Sequence, residues 1–185
     1  MAEVAISGVI IGGLIGTISS IGTTFAFDAY KNRRDTRGLA KSFKGGIGAI
    51  LSIIEARGYV AHIDATISGI NPGEDFAIPL IRAKRNYIEL YNKNVDRIGM
   101  MTPFLSENIP VFYTYLNSLL EDLDGIADGL LNGQPPQIKY SLLVEFRQLL
   151  GKTLDLGSEI IKEVDDNYSG PLIQLHWPWR ITLIP

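Results

Sequence analysis

Residues 4–27 read Val-Ala-Ile-Ser-Gly-Val-Ile-Ile-Gly-Gly-Leu-Ile-Gly-Thr-Ile-Ser-Ser-Ile-Gly-Thr-Thr-Phe-Ala-Phe, with no charged side chain and no proline. At about 1.5 Å per residue a helix of that length covers roughly 36 Å, enough for a hydrocarbon core of about 30 Å. The run predicts a transmembrane helix with the rest of the chain attached to it. A cleaved signal peptide fits less well. The only charge ahead of the run is Glu3, the run exceeds a signal core in length, and Phe25-Ala26-Phe27-Asp28 is a poor cleavage site. A buried helix of a globular core is the remaining alternative.

Charge gives the run a direction. Residues 28–44 hold six basic side chains, Lys31, Arg33, Arg34, Arg37, Lys41 and Lys44, against two acids, whereas Lys and Arg are absent before the run. A positively charged flank stays on the cytoplasmic side. The expectation is a single-pass protein of the inner (plasma) membrane, N-terminus outside and C-terminal part cytoplasmic. The same six residues are candidates for topology setting and for contact with anionic lipid. Residues 98–185 carry 5 basic side chains against 11 acids. Such an acidic half argues against a nucleic-acid partner, which needs a basic face. The chain has no cysteine, so a disulfide framework is excluded.

Beyond the basic segment the hydrophobic spacing is helical. Phe43, Ile47, Ile50, Ile54, Arg57 and Ala61 follow a 4-3-4-3-4 pattern, with Gly45-Gly46 marking an expected bend or break; without one, the helix runs on directly from residues 4–27. Asn71-Pro72-Gly73 is a turn signal, and a second helix is expected over residues 80–94, with Gly99 as a stop. Thr102-Pro103 starts a third: a capping hydroxyl, then proline at the first helical position. Pro110 sits near the start of a further helix or kinks this one. Phe112, Leu116, Leu119, Leu123, Ile126 and Leu130 continue the spacing. The last helix is expected over residues 137–166, on a stripe of Leu142, Phe146, Leu149, Thr153, Leu156 and Ile160. The fold expected is all-α: a transmembrane anchor (residues 1–27), a basic juxtamembrane segment (28–44), an antiparallel bundle of about four helices (45–170) and an extended apolar tail (171–185). Trp177 and Trp179 in that tail either pack along the bundle, touch the membrane interface, or strap a partner.

Catalytic patterns are sparse. His62 and His176 are the two histidines, and neither lies in a zinc or di-iron motif. Lys44-Gly45-Gly46-Ile47-Gly48 lacks the Lys-Ser/Thr of a phosphate loop, and Asn92-x-Asn94-x-Asp96 has Arg97 where a calcium loop needs glycine. Glu121, Asp124 and Asp128 share one helix face, read as solvated. No catalytic residue, metal or cofactor is expected. The most specific constellation is in the apolar run itself. Gly8, Gly12, Gly16, Ser20 and Thr24 recur every four residues, a small-residue ridge along which two membrane helices approach closely.

Tyr91-Asn-Lys-Asn94-Val-Asp96-Arg97-Ile98-Gly99, then Phe112-Tyr113 and Leu119-Leu-Glu-Asp-Leu123, resemble stretches of uncharacterised small bacterial membrane proteins. Those proteins have a glycine-rich N-terminal anchor and a cytoplasmic helical domain. The resemblance implies the topology and carries no activity. Three functions stay open: a membrane-tethered interaction or scaffold module that self-associates or pairs with another membrane protein; a membrane effector or pore assembled through the glycine-rich helix; and an enzyme built on Tyr87, Tyr91, Asn94, Asp96 and Arg97.

Overall fold

The computed structural model describes residues 2–71, 73–76, 78 and 85–170, with side chains from Phe27 onward except that of Arg85. α1 is Ala2–Ala56 and α2 is Tyr59–Gly69. A single turn, α3, Glu89–Asn92, lies between two 3-10 segments, Arg85–Ile88 and Val95–Met100. α4 is Pro103–Ala127 and α5 is Pro136–Tyr168. Among the described residues the protein is all-helical, without strands. The core lies in one compact unit, Ala40–Ser169, and the packing below is internal to it.

α1 passes through Gly45-Gly46 without the expected break. Ala40, Phe43, Ile47 and Ile50 are buried at 3-4-3 spacing. Burying three large apolar side chains is worth about 1.5–3 kcal/mol each, which outweighs roughly 1 kcal/mol per interior glycine. The break comes instead at Gly58, whose φ of 61° is left-handed. Its N–H donates to the Glu55 carbonyl at 2.9 Å. Glycine is the residue that takes this conformation without a Cβ clash. The expected α1 stripe fades there: Ile54 is half-buried, and Arg57 and Ala61 are exposed.

Four paths of chain line the bundle. α5 runs antiparallel to α1: Lys44 pairs with Asp165, and Gly157 faces Ile47 and Leu51. α2 continues along α5, held by a two-pronged ion pair in which Arg147 Nε and Nη2 donate to Asp64 at 2.7 and 3.0 Å. α4 is antiparallel to α5, because Thr102 at its start meets Glu163 and Tyr168 near the end of α5. α1 and α4 are therefore parallel, with the Phe43 and Tyr113 rings in edge contact at 6.0 Å. Residues 85–101 form the return path between them. Leu90 lies against Gly46, where an added Cβ would meet Leu90 Cδ2 at 2.9 Å, and Tyr91 stacks on Tyr113 at 4.9 Å.

That return path corrects the helix expected over residues 80–94. In its described part it is a 3-10 turn, one α turn and a second 3-10 segment ending at Met100. A 3-10 helix rises about 2.0 Å per residue against about 1.5 Å for an α-helix, so the same residues reach further back toward the start of α4.

α4 begins as Thr102-Pro103 predicts, the Thr102 hydroxyl accepting from the Leu105 N–H at 3.4 Å. It stays one helix through Pro110. Leu105, Ile109, Phe112, Leu116, Leu119 and Leu123 are buried on its inner face. Ile126 is half-buried and Leu130 lies beyond the helix end at 68% exposure.

The α5 stripe keeps Phe146, Thr153 and Ile160 of the expected one and replaces the other three members by their C-terminal neighbours. Lys139, Leu143, Phe146, Leu150, Thr153, Gly157, Ile160 and Val164 are buried, while Leu142 is exposed and Leu149 and Leu156 are half-buried. Gly157 sets this phase. A Cβ there would lie 2.8 Å from Leu51, 2.9 Å from Phe112 and 3.2 Å from Ile47, so three helices meet at the missing side chain.

Among the described residues no helix is long and apolar enough to cross a membrane. The expected transmembrane run, with Gly8, Gly12, Gly16, Ser20 and Thr24, lies almost wholly outside the residues whose side chains are described, and so does the tail with Trp177 and Trp179.

Candidate functional site

Between α1, α4 and α5 lies an apolar cavity of about 70 Å³, open on one side. α1 contributes Ile50 and Ile54 to its wall, α4 Leu116 and Leu120, and α5 Phe146 and Leu150. All of these are buried except Ile54, which is half-buried. Tyr87, from the described part of the return path, completes the lining.

One edge of the cavity is polar. Arg57, Tyr59 and Tyr87 line it together with the aliphatic wall. Arg57 is exposed and the two tyrosines are half-buried, which places this edge at the outer end. Arg57 Nη1 donates to the Tyr59 hydroxyl at 2.7 Å, and its guanidinium lies 5.9 Å from the Tyr59 ring centroid. That hydrogen bond, with a smaller contribution from Tyr87, holds the guanidinium proton more tightly than usual. The Gly58 break creates the arrangement: it turns the chain between Arg57 and Tyr59 and brings both side chains to the end of the cavity.

The residues of the enzyme reading are dispersed by the fold. Tyr87 lines the cavity, Tyr91 is stacked on Tyr113, and Asn94 Nδ2 donates to the Leu90 carbonyl at 2.9 Å. Asp96 is exposed and Arg97 half-buried in the second 3-10 segment. His62 Nδ1 bonds the Gly58 carbonyl at 2.9 Å, a helix-end contact. Glu121 accepts from Asn117 on the α4 surface, and among the described residues no group of three or more His, Cys, Asp or Glu side chains is placed to hold a metal.

The basic segment divides by environment. Lys31, Arg33, Arg34 and Lys41 are exposed, and Arg37 is half-buried. Lys44 is engaged with Asp165, whose carboxyl it holds below the ordinary range. Sequence spacing groups Arg57 with the apolar stripe and gives Tyr59 no role. The signal available was Arg57-Gly58-Tyr59 itself, a cation and a phenol either side of a helix-breaking glycine.

No family model matches the chain, and no curated protein or solved structure does either.

Proposed function

We propose that the protein is a membrane-tethered, non-enzymatic helical interaction module. The observation that carries this reading is the charge-free run at residues 4–27 followed by exposed Lys31, Arg33 and Arg34. An apolar span with a basic flank is how a single-pass protein is oriented, and it sets the bundle on the cytoplasmic side. The ridge of Gly8, Gly12, Gly16, Ser20 and Thr24 supplies close packing against a second membrane helix, from another copy or another protein. The bundle is the part that meets cytoplasmic partners.

Cross-linking of the full chain in native membranes tests the association. The expected result is a cross-linked dimer or a specific hetero-adduct that Gly12→Leu removes. An adduct pattern unchanged by Gly12→Leu contradicts the role of the ridge. Capture of the full chain in mild detergent then separates the two kinds of partner, and repeated recovery of the chain alone and monomeric counts against an interaction module.

A further inference from the structure

We propose that the cavity between α1, α4 and α5 is a binding site for a small amphipathic anion, a carboxylate carrying a short unbranched alkyl tail. The inference stands on the geometry of the bundle and does not depend on the membrane reading.

Size limits the tail. A water-sized group needs roughly 10–15 Å³ of such volume, so a cavity of about 70 Å³ takes about five to seven linked groups. The wall chemistry sets its character: Ile50, Leu116, Leu120, Phe146 and Leu150 offer neither donor nor acceptor. A polar guest buried there would lose its hydrogen bonds to water without replacement, whereas an alkyl tail loses only unfavourable hydration.

The polar edge sets the head. A guanidinium has five N–H donors, and the hydrogen bond to Tyr59 uses one at Nη1. Because the Tyr59 hydroxyl accepts that bond, its own hydrogen is directed elsewhere. Arg57, Tyr59 and Tyr87 together present a cation and two phenols at the end of an apolar slot. A carboxylate satisfies all three as acceptor, and a planar guanidinium matches its two oxygens. An alkylammonium of the same length would fill the slot equally well but place its charge against Arg57. The site therefore discriminates by charge sign at the head and by length at the tail.

The test uses the full chain, in buffer or in phosphatidylcholine nanodiscs, whichever keeps it monodisperse, with 13C-labelled isoleucine δ1 methyl groups. Sodium hexanoate and hexylammonium chloride are the probes. Hexanoate is expected to shift the Ile50 and Ile54 methyls saturably and to leave Ile109 and Ile160 in place. Hexylammonium is expected to bind at least about 10-fold more weakly, and Arg57→Gln to weaken hexanoate by about 10-fold while leaving the Ile109 and Ile160 methyls, remote from the site, where they are in the unsubstituted chain. The absence of a saturable shift at millimolar hexanoate overturns the proposal. So does an equal response to the two probes, or hexanoate binding indifferent to Arg57→Gln. Leu120→Phe, which fills the slot without touching the polar edge, is expected to abolish the shifts, and retained binding in that variant, folded, places the ligand elsewhere and overturns the assignment.

Discussion

Tyr113 has 2% of its surface exposed, and its hydroxyl makes no hydrogen bond. Its ring is well held, stacked on Tyr91 and in edge contact with Phe43 and Phe112. An unpaired buried hydroxyl costs about 1–3 kcal/mol. Tyr113→Phe keeps the ring and removes the hydroxyl, so denaturant unfolding should show it more stable than wild type by about 1 kcal/mol at neutral pH. Burial also pushes the phenol up to about 12 from an ordinary value of 10.0. A raised value means that the folded state keeps a proton which the unfolded chain gives up. That contribution is complete below about pH 10 and declines as pH rises toward the folded value. Part of the alkaline destabilisation should therefore vanish in Tyr113→Phe. Gly157 is the opposite case, a position with no room. Gly157→Val should destabilise by about 1–3 kcal/mol through overpacking against Leu51, Phe112 and Ile47, read as a lower denaturant midpoint.

Elements differ in how far sequence alone exposes them. The α4 face of Phe112, Leu116, Leu119 and Leu123 is legible because its adjacent pairs, Phe112-Tyr113 and Leu119-Leu120, are buried at both members, so either choice falls on the inner face. α5 is ambiguous because leucines come in adjacent pairs, Leu142-Leu143 and Leu149-Leu150. Spacing accepts either member beside Phe146, Thr153 and Ile160, and the choice decides which flank of that line is buried. Gly157 resolves it, but a glycine reads locally as a weakness rather than as the point where three helices touch. The same bias set the break at Gly45-Gly46 rather than Gly58, since local propensity cannot weigh the burial of Ile47 and Ile50. Spacing predicts a regular helix over residues 80–94 because the tight turns of its described part are imposed by the distance the chain must cover. The cavity edge was missed for a related reason: Arg57 and Tyr59 acquire a joint role only once the Gly58 turn is made.

The start of α4 shows how one cap serves two elements. Thr102 caps Leu105, its hydroxyl donates to Glu163 Oε1 at 2.9 Å, and its N–H donates to the Tyr168 hydroxyl at 3.0 Å. Thr102→Ala loses the cap and the Glu163 link together. The expected cost is about 1–2 kcal/mol, with Thr102→Ser recovering most of it in the same thermal melt.

At the scale of the whole molecule, carboxylate pairs tie the bundle's edges. Asp64 with Arg147, Asp75 with Lys139 and Asp165 with Lys44 each join α5 to another part of the chain. Hydrogen bonding from these cations is the main cause that holds all three carboxyls below their ordinary 3.8. The unfolded chain therefore takes up protons first as pH falls. The stabilisation is present above the ordinary value and lost as pH drops through the lower folded values. Asp122 runs the other way, raised chiefly by burial and then by Glu121 and Glu145, and its protonation favours the fold. Melting temperature should fall as pH drops below about 4, and Asp64→Asn should shrink that fall while lowering stability at neutral pH.

The claim that the bundle is tethered to a membrane rests on residues 4–27. Alkaline carbonate extraction of membranes from cells producing the full chain tests it most directly. The account predicts that the chain stays in the membrane pellet, and that replacing Ile11 and Ile15 with arginine releases it. Release of the unmodified chain into the carbonate supernatant would contradict the account.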